Sequence, residues 1–247
     1  MTEEENDGGL GSQRCGSQSA IDKVSEKVSL NVFAWVKKWF EVMNFVHGYG
    51  ALNAALVGLR CPHLRRLVMP AWNRIKKDVI YKAIHTWRSL ESLTKPSIVN
   101  LHYLVKEIAI NCKNFNELKI MGPFDVLFAS IIVKFLSNLK VLSSRCSAIV
   151  KDALLLVLDD LPNLEVLYIS HSLLIESPPF SLVMPKKIIK KPDKIILEKA
   201  AQLREFLTCI EHSCIMCQRT RSDEGFMRWY KHEEGLWKMD EARSLAV

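Results

Sequence analysis

Short apolar triplets of the form apolar-x-x-apolar-x-apolar recur along this chain, beginning at Phe40, Leu64, Leu90, Phe115, Leu139 and Leu164. Their spacings are 24, 26, 25, 24 and 25 residues. The clearest copies read Phe40-x-x-Met43-x-Phe45, Leu64-x-x-Leu67-x-Met69, Phe115-x-x-Leu118-x-Ile120 and Leu164-x-x-Leu167-x-Ile169. The third and fifth are weaker, because Lys95 and Ser144 take the last apolar position. Between the triplets lie amphipathic stretches, clearest in KKDVIYKAIHTW and VNLHYLVKEIAIN and more apolar in DVLFASIIVKFL and IVKDALLLVLDDL. The pattern predicts a short strand at each triplet and a helix after it. Each helix carries the chain back, so successive strands lie parallel. Asn114, Asn138 and Asn163 each precede a triplet. Asn tolerates the left-handed conformation that often ends a helix, so the helices are expected to stop there.

A period in the twenties with this motif is that of leucine-rich repeats, whose units bury their apolar faces only by stacking. The expected fold class is therefore α/β: a leucine-rich-repeat solenoid with short parallel strands on the concave face and helices on the convex face. Ile21, Val24, Val28, Val32, Trp35 and Trp39 recur at helical spacing and predict an N-terminal capping helix. Residues 1–18 hold few large apolar side chains and are expected to be disordered. The repeat domain is expected over 19–176, a Pro/Lys-rich linker over 177–194, and a C-terminal helix with a Cys- and Trp-rich tail over 195–247. That helix is predicted near 193–212, with Ile195, Ile196, Ala200, Leu203, Phe206 and Leu207 on one side. The Asn or Cys rung usual after each triplet is irregular here, with only Cys146 and Asn73 near it.

Strand alternation sends the apolar residues of each triplet to the core and the residues between them outward. The outward row comprises Arg66, Val68, Ser92, Thr94, Glu117, Lys119, Val141, Ser143, Arg145, Val166, Tyr168 and Ser170. It is chemically mixed, as suits a protein-binding face. The 247 residues are 49% hydrophobic and carry a net charge of +7. The basic residues are mostly scattered rather than gathered in the stripe a nucleic-acid binder uses. No apolar run approaches the length of a membrane span, and the acidic start lacks the features of a secretory signal. Cytosol or nucleus is the expected compartment, with the seven cysteines reduced. The run Pro185-Lys186-Lys187-Ile188-Ile189-Lys190-Lys191 reads first as a solvated linker, with a nuclear import signal or an anion-binding patch as the alternatives.

No phosphate loop, Rossmann glycine pattern or Gly-x-Ser-x-Gly elbow is present, so a non-catalytic binding module is expected. The candidate chemistry is a C-terminal cluster, Cys209, His212, Cys214 and Cys217. These four could hold zinc, which takes four N or S ligands in a tetrahedron, with His232 as a substitute for His212. The Cys-x4-Cys-x2-Cys spacing also matches a plant-type ferredoxin, but no fourth cysteine follows Cys217. A redox Cys-x-x-Cys lacks a thioredoxin-like context. The plainer reading is reduced cysteines at the end of a docked helix, with no cofactor.

The segments CPHLRRLVMPAWNRIKKDVIYKAI (61–84), NCKNFNELKIMGPFD (111–125), LPNLEVLYISHSLLIE (161–176) and CIMCQRTRSDEGFMRWYKHEEGLWKMDEARSL (214–245) resemble the plant F-box/LRR-repeat proteins. The resemblance implies the ubiquitin conjugation pathway. Members of that family use an N-terminal F-box to bind a Skp-type adaptor of a cullin ubiquitin ligase, and their repeats present a protein substrate. Residues 1–30 are too poor in apolar positions to supply an F-box. The expectation is therefore a substrate-recognition part, for which a Skp-type adaptor is doubtful as a partner. A decoy or scaffold that recruits no ligase is the alternative, and a zinc or redox protein built on the C-terminal cysteines is another.

Overall fold

The computed structural model describes residues 63–68, 83–95, 101–176 and 187–225. Its strands are β1 (Arg66–Val68), β2 (Ser92–Lys95), β3 (Glu117–Ile120), β4 (Val141–Ser144), β5 (Ala148–Val150), β6 (Val166–Tyr168), β7 (Leu173–Glu176), β8 (Lys187–Ile189) and β9 (Glu205–Leu207). Its helices are α1 (Leu101–Asn111), α2 (Val126–Phe135), α3 (Lys151–Asp160), α4 (Lys194–Ala200) and α5 (Ile215–Ser222). The first triplet at Phe40, the capping helix, residues 1–18 and the aromatics from Phe226 onward lie outside the described residues.

Five triplets become the parallel strands β1, β2, β3, β4 and β6, in chain order across one sheet. The register aligns Leu67, Leu93, Leu118, Leu142 and Leu167 as direct partners. All five are buried. The helices cover them with matching stripes: Leu104, Val105 and Ile108 on α1, Ala129 and Ile132 on α2, and Ala153, Leu154, Val157 and Leu158 on α3. Asp125 caps α2, its carboxylate accepting from the Phe128 amide at 2.8 Å.

A repeated backbone device sets the register. The amides of Glu91 and Ser92 both donate to the Arg65 carbonyl, and those of Asn116 and Glu117 to the Glu91 carbonyl. Lys140 and Val141 share the Asn116 carbonyl, and Glu165 and Val166 share that of Lys140. Each strand start is thus tied to the same atom of the unit before it. A tight turn precedes β2, β3, β4 and β6, closed by amide bonds from Leu90 to the Trp87 carbonyl, Phe115 to Cys112, Leu139 to Leu136 and Leu164 to Leu161.

Asn114, Asn138 and Asn163 lie in the last three of those turns. They do not take the left-handed conformation expected of them, which among non-glycine described residues falls to Cys146, His171 and Glu224. An i to i+3 bond closes the turn without a positive φ, so Asn serves as a turn residue. Asn163 adds a link between units, donating to the Ser137 carbonyl at 3.1 Å.

Positive φ occurs instead four residues after the central leucine, at Gly122, Cys146 and His171. There the chain turns out of the main sheet and starts a second ladder. Phe124 bridges Ile149, β5 pairs with β7 in parallel, and β8 returns antiparallel to β7. Hydroxyls fill the corners: Ser147 accepts from the Gly122 amide at 2.9 Å, and Ser172 from the Ser147 amide at 3.1 Å.

The C-terminal part departs most from expectation. The helix foreseen near 193–212 is only α4, and Glu205–Leu207 forms β9, parallel to β6. Leu203-x-x-Phe206 is a further copy of the triplet, with Phe206 opposite Leu167 and the same preceding turn, Leu203 amide to Ala200 carbonyl. Spacings of three and four fit a helix and a triplet alike, and here sheet pairing wins. The sheet thus continues past the boundary expected at 176. The end of the expected linker is structured too. β8 joins the second sheet, and Lys151 on α3 pairs with Asp193, the cap of α4, at 2.5 Å.

Lys95 occupies the last triplet position, beside Ile120, and is only 4% exposed. Burial pushes its ammonium down to about 8. Between that value and the ordinary 10.5 the unfolded chain holds the proton and the folded chain does not. Stability should therefore rise as pH climbs through this window. Lys95→Met should stabilise the fold at pH 7 by about 2–3 kcal/mol, the gain vanishing above the upper limit. Denaturant titrations at several pH values check this.

Candidate functional site

Strand register brings the predicted row together. Arg66, Ser92, Glu117, Val141 and Val166 align across the sheet, and so do Val68, Thr94, Lys119, Ser143 and Tyr168. β9 extends both lines with Glu205 and Leu207, which the sequence pattern assigns to a helix.

The row is more covered than alternation alone implies. Ser92, Thr94, Glu117, Lys119, Ser143, Arg145, Val166 and Ser170 are buried, while Val141 and Tyr168 are half-buried. Arg66 is exposed, and the side chain of Val68 lies outside the description. Adjacent strands stand about 4.8 Å apart, so short side chains sit below the tips of long neighbours. Long charged chains also lie down along the face to pair. Lys119 meets Glu117 at 3.0 Å, Arg66 reaches Glu117 at 3.9 Å, and Arg145 lies over the Tyr168 ring at 5.9 Å. A shallow depression remains, lined by Lys119, Val141, Ser143, Val166, Tyr168, Arg204 and Leu207. Its volume is ≈ 330 Å³ including open solvent, at the lower limit of a small-ligand site.

The cysteine cluster lies at the far end of this row. Cys209 follows β9 at the repeat position held by Arg145 and Ser170 in the two preceding units. The His171 amide donates to the Cys209 carbonyl at 2.7 Å, as the Cys146 amide does to that of Ser170 at 3.1 Å. Cys214 and Cys217 come from the first turn of α5, where Cys214 is the capping residue. His171 Nδ1 lies 3.4 Å from the sulfur of each. Cys209 Sγ is 3.7 Å from Cys217 Sγ. All four ligand atoms lie within 4.8 Å of one another. Burial pushes the Cys209 and Cys217 thiols up; the neighbouring sulfurs reinforce this at Cys217, while at Cys209 the Glu211 backbone and the Cys217 thiol work against it.

His212, the histidine expected in this group, is not in it. It is exposed, its Nδ1 lies 3.2 Å from an Arg221 nitrogen, and its carbonyl accepts from Gln218 at 2.7 Å. His171 takes its place, brought in by a corner turn 41 residues earlier in the chain. Proximity in sequence favoured His212, and only the register of β6 with β9 carries the signal for His171.

No family model matches the chain. It is 60% identical over 189 residues to an F-box/LRR-repeat protein of Arabidopsis thaliana, a match covering 75% of this chain and 60% of that protein. The chain is a homologue of plant F-box/LRR-repeat proteins. A putative F-box protein of the same plant is 27% identical over 237 residues, covering 93% of this chain and 66% of that protein. The chain thus spans about three-fifths to two-thirds of the length of these curated relatives. The charges of the aligned row are held by one another, Glu117 lying between Lys119 and Arg66.

The buried Glu117–Lys119 pair gives a direct test of that packing. Lys119→Met leaves the Glu117 carboxylate buried and should cost about 3 kcal/mol. Adding Glu117→Gln should recover most of the loss in chemical denaturation.

Proposed function

We propose that this chain is a leucine-rich-repeat solenoid and the substrate-recognition part of an SCF-type ubiquitin ligase. The observation that carries this reading is the 60% identity to a protein named for its F-box and its repeats. The parallel register supports it, since it lines up equivalent side chains of successive units into one continuous surface. Extended, mixed surfaces of this kind suit proteins better than small molecules. Substrate contact is assigned to the exposed and half-exposed members of the row, Arg66, Val141 and Tyr168, and to the long side chain of Arg204, which lines one depression with Val141 and Tyr168. The protein is a non-catalytic adaptor, working in the cytosol or nucleus where its thiols stay reduced. None of the described helices is long and apolar enough to cross a membrane.

The test is affinity purification from plant cells of the chain alone and of the chain fused behind an F-box. The fusion should bring down a Skp-type adaptor and a cullin together with a substrate. Arg66→Glu combined with Tyr168→Ala should remove the substrate and leave the adaptor. Identical protein sets with and without those substitutions would refute the assignment of the row. A native chain that holds the substrate and no adaptor would identify a scaffold or decoy.

A further inference from the structure

We propose that His171, Cys209, Cys214 and Cys217 bind one zinc ion, which clamps α5 onto the end of the parallel sheet. The site belongs to the C-terminal part of the molecule and is independent of the substrate-recognition reading.

The distances carry the argument. Zinc binds thiolates at about 2.3 Å and imidazole nitrogen at about 2.0–2.1 Å, in a tetrahedron. The edges of such a tetrahedron are about 3.8 Å between two sulfurs and about 3.6 Å between sulfur and nitrogen. The structure has 3.7 Å between Cys209 and Cys217, and 3.4 Å from His171 Nδ1 to Cys214 and to Cys217. A disulfide would bring two sulfurs to about 2.05 Å, and all three cysteines are unbridged. A ligand set that fits within 4.8 Å encloses a single ion. Three thiolates and an imidazole are soft to borderline donors, which suit zinc and not magnesium or calcium.

The backbone is arranged for the same purpose. Cys214 and Cys217 sit at the N-terminal end of α5, where the helix dipole favours negative sulfur. His171 has a left-handed φ of 62°, at the corner position that Gly122 and Cys146 hold in the preceding units. Arg221 fixes the intervening loop by donating to the Ile210 carbonyl at 2.9 Å.

A clamp at this point has a structural task. α5 has eight residues and a mainly polar composition, and isolated helices of that length are unstable in water. Its far end ends in a paired turn, Gly225 amide to Thr220 carbonyl and Glu224 amide to Arg221 carbonyl. That turn is seated so tightly that a Cβ on Gly225 would lie 2.7 Å from Ala148. One end of α5 is thus held by close packing, and the ion holds the other.

The full chain, purified under reducing conditions and dialysed, should retain about one zinc per molecule by elemental analysis. Cobalt(II) in its place should give the visible bands of a tetrahedral site and thiolate charge transfer. His171→Ala should weaken cobalt binding by more than about tenfold, since even supporting groups around a metal contribute that much. His212→Ala should bind cobalt as the parent does. Because ligand variants can unfold, His171→Cys supplies a further readout, retaining cobalt with stronger thiolate charge transfer. Less than about half an equivalent of metal in a folded, reduced parent chain would overturn the proposal. So would loss of cobalt in the His212 variant with retention in the His171→Ala variant.

Discussion

The sharing of one carbonyl by two successive amides of the next unit is the contact on which the rest of this structure depends. It recurs at Arg65, Glu91, Asn116 and Lys140. It fixes each strand against its neighbour before any side chain is considered. A slip of one residue would turn every leucine of the ladder to the opposite face. With the slip forbidden, Leu67, Leu93, Leu118, Leu142 and Leu167 stack in the core, and the helices need only present apolar stripes of matching width. The tight turns before the strands deliver the chain to that carbonyl each time.

The same constraint lines up polar side chains on the other face, whatever their chemistry. Glu117 and Lys119 are two apart on one strand and so share a face, where they pair. Arg145, beyond the end of its strand, finds the Tyr168 ring. Lys95 shows the cost of the arrangement, because the repeat assigns its position to the core and burial works against its charge. A repeat architecture tolerates such substitutions because each unit is held by two neighbours as well as by its own side chains.

Legibility in the sequence followed the range of the forces involved. The triplets at Leu64, Leu90, Phe115, Leu139 and Leu164 predicted five strands and their parallel order, since both follow from a local pattern and a regular interval. The triplet at Leu203 was obscured by its distance of 39 residues from Leu164 and by a spacing equally compatible with a helix. Asn114, Asn138 and Asn163 marked the right places for the wrong reason, because a closed turn and a left-handed cap use the same residue. The second ladder through Phe124, Ile149 and Leu174 repeats at the same interval of 25 residues, but the triplet motif does not mark it, because its strands are short and set between a corner and a helix.

The cysteine-rich corner divides the two sources of information most sharply. Sequence alone determined that three cysteines fall within nine residues and that a histidine stands among them. It could not choose the histidine, because closeness along the chain says little about closeness in space once a strand intervenes. The tertiary structure decided for His171, since pairing of β9 with β6 sets Cys209 beside the preceding corner, and a left-handed turn there presents the imidazole. Repetition is encoded locally and can be read from a single chain. The convergence of Cys209, Cys214, Cys217 and His171 is a product of sheet register, and exists only once the strands have paired.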